Sequence, residues 1–444
     1  MRITLFISLL LIGSPCLGQA AGVDLRQALR EAVAARPFVE ASRQEAQSAR
    51  SAADAARSRY FPRVTLSETF SATDEPAGSL FATLNQERLI LYPSAAPYND
   101  PPTTRDFETR LTLEQPLFDP DISFSARRAD RGAEAAEAGA RWSAEEAAFS
   151  AFQAYLAVQS AGSARQWVES SLKEARETER LASLRQEAGL GLLADTLRAR
   201  VALAEAERRA LSSGNDLTLA RKRLALALGR SGGEADIAAP LSAEEFAAVP
   251  AVAGGERADL SALTHQAEAA DLAYRQSRAA FLPRAGLSAA YALHDEETPF
   301  GAEGSAWSVR AGLTWEIFDG LGKSHLKQSA AAARNAAVAR RTEISRQAEF
   351  HLEEARLRAE EARLQLASAR QALEAAEESR RLLLDRYDAG LSNLSDLLAL
   401  QAALDGARFE AVNAESRLIL ALGNIRFQSG TFFESLLPAE ENSP

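Results

Sequence analysis

Residues Arg185 to Ala220 read RQEAGLGLLADTLRARVALAEAERRALSSGNDLTLA, and a second copy of the pattern runs from about Asp385 to Ala421. In the second copy Leu397, Leu400, Leu404, Ala407, Ala411, Ala414, Leu418 and Ala421 recur at alternating steps of three and four. That spacing keeps a narrow apolar stripe on one side of a helix, the seam of a coiled coil. The first copy stands 201 residues earlier and gives Thr196, Ala199, Leu203, Ala206, Ala210, Ser213, Leu217 and Ala220. Each seam follows a glycine (Gly189, Gly390) and, six residues on, an aspartate (Asp195, Asp396).

A similar seam lies upstream of each glycine. Ala348, Leu352, Ala355, Ala359, Ala362, Leu366, Ala369, Leu373 and Ala376 step without a fault. The earlier copy, Ala147, Ala151, Ala154, Val158, Ala161, Arg165, Val168, Leu172 and Ala175, is broken only at Arg165. Two seams joined at a glycine predict an antiparallel helical hairpin in each half of the chain. The first arms, Asp121 to Glu187 and Gly322 to Asp388, are about 67 residues, roughly 100 Å at 1.5 Å per residue, which suits a span across the periplasm. Phe350, Leu357 and Leu364 add a second stripe on the other side of the later arm. A helix with stripes on opposite sides needs neighbours on both, as in the wall of a tube. The return arms end at Gly229 and Gly423, an offset of 194; the change from 201 is one heptad, which alters length but not phase.

Ahead of each hairpin the apolar period falls to two. Val64, Leu66 and Phe70 alternate with polar residues, Glu68 excepted, and after a proline-containing stretch from Thr73 to Arg105 that reads as a loop, Phe107, Thr109, Leu111 and Leu113 alternate again. The second half repeats this with Ala285, Leu287, Ala289, Tyr291 and Leu293, a shorter loop, and Trp307, Val309, Ala311, Leu313 and Trp315. About ten residues of apolar-out, polar-in alternation suits a membrane β-strand, with Trp307, Trp315, Phe70 and Tyr291 as candidate interface aromatics. Four strands cannot close a barrel, and lipid does not tolerate an open sheet edge. The chain must therefore assemble with copies of itself, and three copies supply twelve strands. The expected fold class is a mixed one: an all-α coiled-coil tube plus a transmembrane β-barrel, each protomer a duplicated helix–strand–strand–long helical hairpin unit.

The expected divisions are a signal peptide at 1–21, a first repeat at 22–229, a linker at 230–258, a second repeat at 259–428 and a fraying polar tail at 429–444. The first repeat holds helix 22–60, interrupted at Pro37, strands 62–72 and 106–117, and hairpin 120–229 with its tip near 189. The second holds helix 259–282, strands 284–294 and 306–317, and hairpin 321–428 with its tip near 390. Arg2, the apolar run Ile3 to Ile12 and Gly18-Gln19-Ala20 have the order of a secretory signal with its cleavage site. Cys16 suggests lipidation, but Pro15 beside it fits such a site poorly. Cleavage near Ala20 leaves a mature chain without cysteine, independent of disulfides.

The composition, 46% hydrophobic and 25% charged over 444 residues, leans on alanine, and the formal net charge of -11 argues against nucleic acid as a partner. No catalytic constellation stands out. The four histidines (His265, His294, His325, His351) are scattered, with no HExxH and no pair at i, i+4. No phosphate loop is spelled by the glycines, so neither a metal nor a cofactor is expected, and the chain does not read as an enzyme.

With the duplicated element order, the entries Phe61-Pro62-Arg63 and Leu282-Pro283-Arg284, and the break Arg386-Tyr387-Asp388-Ala389-Gly390-Leu391-Ser392-Asn393-Leu394-Ser395-Asp396, the mature chain resembles the TolC-like outer membrane efflux protein family. The resemblance implies a homotrimer with a twelve-stranded barrel in outer-membrane lipid and a twelve-helix periplasmic tube. It implies a duct gated at the tips, used in tripartite efflux or type I secretion. Its partners would be a periplasmic adaptor and an inner-membrane transporter of the RND, ABC or a similar class. Gly189, Leu190, Gly390 and Leu391 match the adaptor-docking positions, and Asp396 matches an inward-facing aspartate ringing the aperture. Ala399 stands where the family often has a second aspartate. Tyr387 matches a tyrosine that helps hold the tip shut, but its usual arginine partner is Ser392 here, so the lock would use Arg386, or Arg198 with Asp195. On the residues alone, Asp195 and Asp396 could equally be helix N-caps, and Tyr387 ordinary seam packing. The rival readings are a soluble periplasmic coiled-coil adaptor, which would need a lipoyl-type domain and an inner-membrane anchor, and a spacer without a duct.

Overall fold

The computed structural model describes residues 22–249 and 256–437. The expected signal peptide, with Arg2, Cys16 and the cleavage site, lies outside the described residues, as does the end of the tail from 438. In chain order the elements are α1 (Leu25–Ala35), α2 (Pro37–Ser58), β1 (Arg63–Thr73), α3 (Pro76–Asn85), α4 (Ala96–Asn99), β2 (Thr104–Phe118), α5 (Pro120–Glu187) and α6 (Leu193–Ala227). There follow α7 (Ala243–Ala248), α8 (Ala258–Ala279), β3 (Arg284–Asp295), β4 (Gly304–Thr314), α9 (Gly322–Asp388), α10 (Leu394–Gln428) and α11 (Phe432–Leu436). Pro37 opens α2, where its missing N–H costs nothing. Among the described residues, no helix is long and apolar enough to cross a membrane.

The chain divides into two compact units. One comprises the residues up to Ser42, Ala140–Ala258 and the residues from Arg346; the other comprises Arg43–Gly139 and Asp259–Ser345. The first unit holds the paired hairpin arms. Ala147, Ala151 and Val158 of α5, Thr196, Ala199, Ala206, Leu217 and Ala220 of α6, Ala355, Ala359, Ala362, Leu366 and Ala369 of α9, and Leu397, Leu404, Ala414 and Leu418 of α10 are all buried. Arg165 is exposed and pairs with Glu169 at 2.8 Å, so the one fault in the seam turns to solvent. The second stripe, Phe350, Leu357 and Leu364, is exposed in the single chain.

In the main core of this unit alanine gives way to aromatics. Phe149 stacks on Phe427 with centroids 4.4 Å apart, and Phe152 packs at 5.2 Å against both Phe246 and Phe432. Phe432 and Leu437 are fully buried in this cluster, so the expectation of a fraying tail from 429 fails as far as Leu437. Hydrophobic burial of Phe432, Leu436 and Leu437 outweighs the cost of ordering a short terminal segment. The linker is likewise more structured than expected. Val23 and Ile237 form a parallel bridge, Gln159 clamps Leu241 through both its amide atoms at 2.7 and 2.9 Å, and α7 has Ser242 as its N-cap. The Arg426 guanidinium lies 4.6 Å over the Phe246 ring and donates to the Phe246 and Val249 carbonyls at 3.0 and 2.9 Å, which satisfies the end of α7.

Glu145 accepts the Phe433 N–H at 3.0 Å, and burial pushes its carboxyl above the ordinary carboxylate value. An acid raised in this way favours the folded state below its unfolded pKa, and that gain disappears as pH rises through the folded value. Glu145→Gln keeps an acceptor for Phe433 and removes the buried charge. The variant should therefore melt a few degrees above wild type at pH 7 (about 1 kcal/mol is a shift of this size), and thermal scans should converge as the pH falls below the ordinary carboxylate range.

The second unit is built on one antiparallel sheet of order β1-β2-β3-β4. The repeats join through the β2–β3 pair, and among the described residues no other strand pairs with β1 or β4. Pro116 stands beyond the last β1 pair, Arg63 with Glu114, and beside a register shift between Pro116 and Phe118, a place where a missing ladder N–H is tolerated. Two expectations are corrected. Strand 306–317 stops at Thr314, so Trp315 lies just past it, donating Nε1–H to the Phe281 carbonyl at 3.0 Å. The stretch 73–105 is not all loop: Pro76 opens the ten-residue α3, and the Ser79 and Thr104 hydroxyls bond to each other. A ten-residue helix held by tertiary contacts leaves too short a periodic signal to read.

Candidate functional site: the hairpin tips and the apolar sheet face

Each tip is made by a helix that ends on a left-handed glycine. Gly189 has φ +73° and Gly390 φ +75°, backbone that glycine alone adopts without strain. Gly189 N–H donates to the Gln186 carbonyl at 3.0 Å and Leu190 N–H to Arg185 at 2.8 Å; Gly390 and Leu391 repeat this on Tyr387 and Arg386 at the same distances. These paired bonds satisfy the orphan carbonyls of α5 and α9, and they leave Leu190 and Leu391 exposed at 82% and 69%. The four residues matched to adaptor docking thus form two equivalent knobs.

The aspartates are not N-caps. Asn393 caps α10, accepting the Asp396 N–H at 2.8 Å, and Leu192 holds that place in α6 without a side-chain bond. Asp195 and Asp396 both sit three residues into their helices, where the helix dipole favours an acid without consuming its oxygens. Asp396 is exposed.

The two hairpins meet through a small second core. Tyr387, 5% exposed, packs with Ala182, Ala199, Leu394 and Leu397. The Arg185 guanidinium lies 4.2 Å from its ring centroid and donates to its carbonyl at 3.1 Å. Arg185 was absent from the sequence candidates. It stands 201 residues before Arg386, which was among them and is exposed, so the duplication carried the signal for it. Arg198 reaches Asp195 at 3.5 Å and the Ser395 hydroxyl at 3.0 Å, making a second tie between α6 and α10. Among the described residues Ser392 Oγ has no hydrogen-bond partner. Farther along the arms Arg380 and Arg408 approach Glu174 at 3.4 and 3.8 Å.

On the sheet, one face is apolar and open. Leu66, Leu111, Tyr291 and Trp307 form a continuous cross-strand row, with Trp307 77% exposed, and Phe70 lies 4.8 Å from Phe107 toward one end. Trp315 marks the other end. Eight residues separate the two tryptophans, about 27 Å of strand, which a tilt reduces to less than the thickness of a hydrocarbon core. The opposite face carries Thr65, Ser67, Arg110, Thr112, Ser308 and Arg310. Glu68, the exception on the apolar stripe, accepts the hydroxyl of its cross-strand neighbour Thr109.

A family model described as outer membrane efflux protein matches residues 28–230 and 249–431. No curated protein matches the chain in sequence. Among solved structures, the chain is similar to the outer membrane protein VceC of Vibrio cholerae, with a TM-score of 0.78 and 21% identity over 92% of this chain and 97% of that one. It is similar to the CmeC outer membrane channel of Campylobacter jejuni, at 0.79 and 14% identity over 100% and 96%. The open state of the MtrE outer membrane channel of Neisseria gonorrhoeae gives 0.75 and 17% identity over 93% and 90%. At such identities the likeness bears on the fold.

Proposed function

This chain belongs to the outer membrane efflux protein family, and from that premise we propose that it is one third of a passive exit duct that adaptor docking opens at the periplasmic end. The family places it in the outer membrane as an efflux channel. The observation that carries the rest is the four-stranded sheet with an open apolar face and two unpaired edges. In lipid such a sheet is stable only when closed, and three copies give twelve strands for a barrel and twelve hairpin arms. The exposed stripe of Phe350, Leu357 and Leu364 supplies the second face that a tube wall needs.

In this reading the left-handed turns at Gly189 and Gly390, with Leu190 and Leu391, receive the adaptor. Tyr387 with Arg185, and Asp195 with Arg198, hold the tips shut, and docking splays them as a two-state interface. Arg386 is the repeat-related counterpart of Arg185 and would face the next protomer. Asp396 from three chains converges on the axis, where carboxylates attract cations. The cargo is selected mainly by the inner-membrane pump.

The test is planar-bilayer conductance on detergent-extracted protein that runs as a trimer. Asp396→Asn removes the charge and keeps the shape, and should weaken block by multivalent cations at least about tenfold, which corresponds to about 1.4 kcal/mol. Unchanged block would remove Asp396 from the aperture. A monomer soluble without detergent would remove the duct.

A further inference from the structure

One of the four scattered histidines, His294, meets two carboxylates in the fold. On the polar face of the sheet, at the end carrying the β1–β2 and β3–β4 connections, Glu108 pairs directly with His294 across the β2–β3 ladder. Asp106 is two residues along β2 on the same face. One ligand atom from each of Asp106, Glu108 and His294 lies within 4.8 Å of the others. His294 and Asp106 are only 3% and 7% exposed. His294 Nδ1 is 2.9 Å from Asp106 Oδ2.

We propose that Asp106, Glu108 and His294 form a binding site for one divalent transition-metal cation per chain, with zinc as its reference ion. One imidazole and two carboxylates are a donor set for zinc-class ions rather than for the all-oxygen preferences of magnesium or calcium. Three protein ligands leave a fourth position for water. Ligand atoms about 2.1 Å from such an ion stand roughly 3.4 Å apart in a tetrahedral site, so the present spread closes by side-chain rotations of the order of an ångström. The surroundings already orient the donors. Gln86, the C-cap residue of α3, donates to Asp106 Oδ1 at 3.0 Å and to the Arg105 carbonyl at 2.7 Å, and the Arg110 Nε–H bonds Glu108. A purely structural bracket ties Asp106 to Gln86 and His294, and Glu108 to Arg110; the metal site is what joins Glu108 to the other two, and the binding of zinc to Glu108→Gln separates the two readings. The site lies within one chain and stands apart from the duct reading.

Zinc titrated calorimetrically into the chelator-treated full chain in detergent should show one saturable site per chain. Glu108→Gln lies outside the Gln86–Asp106–His294 bracket and so leaves folding intact; it should weaken binding about 100-fold, as should His294→Gln. Gln86→Ala, acting through Asp106, should weaken it about tenfold. Cobalt at the same site should give the visible absorption of a low-coordinate ion, and that signal should vanish in His294→Gln. Absence of saturable binding, or binding undiminished in Glu108→Gln, overturns the proposal and leaves the bracket alone.

Discussion

If the tips gate the duct as proposed, replacing Arg185 by alanine is expected to turn a channel that rests shut into one that rests open. The Arg185–Tyr387 contact joins the two hairpins of one chain, and only interactions lost on opening hold a gate closed. A partly desolvated cation–π contact contributes about 1–2 kcal/mol and a charged hydrogen bond about 1.5–3 kcal/mol. A net loss of about 2 kcal/mol per chain becomes about 6 kcal/mol over three chains, and about 5.5 kcal/mol carries a two-state equilibrium from 1:99 to 99:1. Single-channel recordings should therefore show a several-fold larger mean conductance for Arg185→Ala. Tyr387→Phe keeps the ring and the backbone acceptor, so it should stay near wild type, whereas Tyr387→Ala should follow Arg185→Ala. Equal conductance in wild type and Arg185→Ala would mean that the contact persists in the open state.

The second large effect is on stability. Phe152 is fully buried and touches the rings of Phe149, Phe246 and Phe432. Truncation to alanine should cost about 3–5 kcal/mol, because the ring joins α5 to the linker and the terminal segment at once. The opposing helix makes room for it with Gly423, where an added Cβ would stand 2.3 Å from Phe152 Cε1. Gly423→Ala gains about 1 kcal/mol of helix propensity but overpacks the site by about 1–3 kcal/mol, so it should lower stability on its own. In the Phe152→Ala background the clash is gone and the same change should become neutral or stabilising, a coupling of about 1 kcal/mol or more. Denaturant or thermal unfolding of the four proteins measures it; additive effects would show that Phe152 swings away at no cost.

Much of the molecule was legible because its signals are periodic and stated twice. Seam positions 201 residues apart, a glycine before each, and strands of period two predicted the hairpins, the turns and the sheet to within a few residues. The elements that were missed are short. α3, α7 and α11 have too few turns for a helical period to emerge, and each is held by contacts distant in sequence: Ser79 with Thr104, Arg426 with the Phe246 carbonyl, Phe432 with Phe152.

The sequence by itself determined that the chain is a tandem of hairpins and membrane-type strands, because apolar spacing reports which side of an element must leave water. Tertiary structure alone decided which charges meet. Arg185 was chosen over Arg386 as the partner of Tyr387 within the chain. His294 came to Asp106 and Glu108 across 188 and 186 residues, because ladder register carries no mark in local composition. Periodicity is written in every turn of an element, whereas a pairing between elements exists only once they have packed.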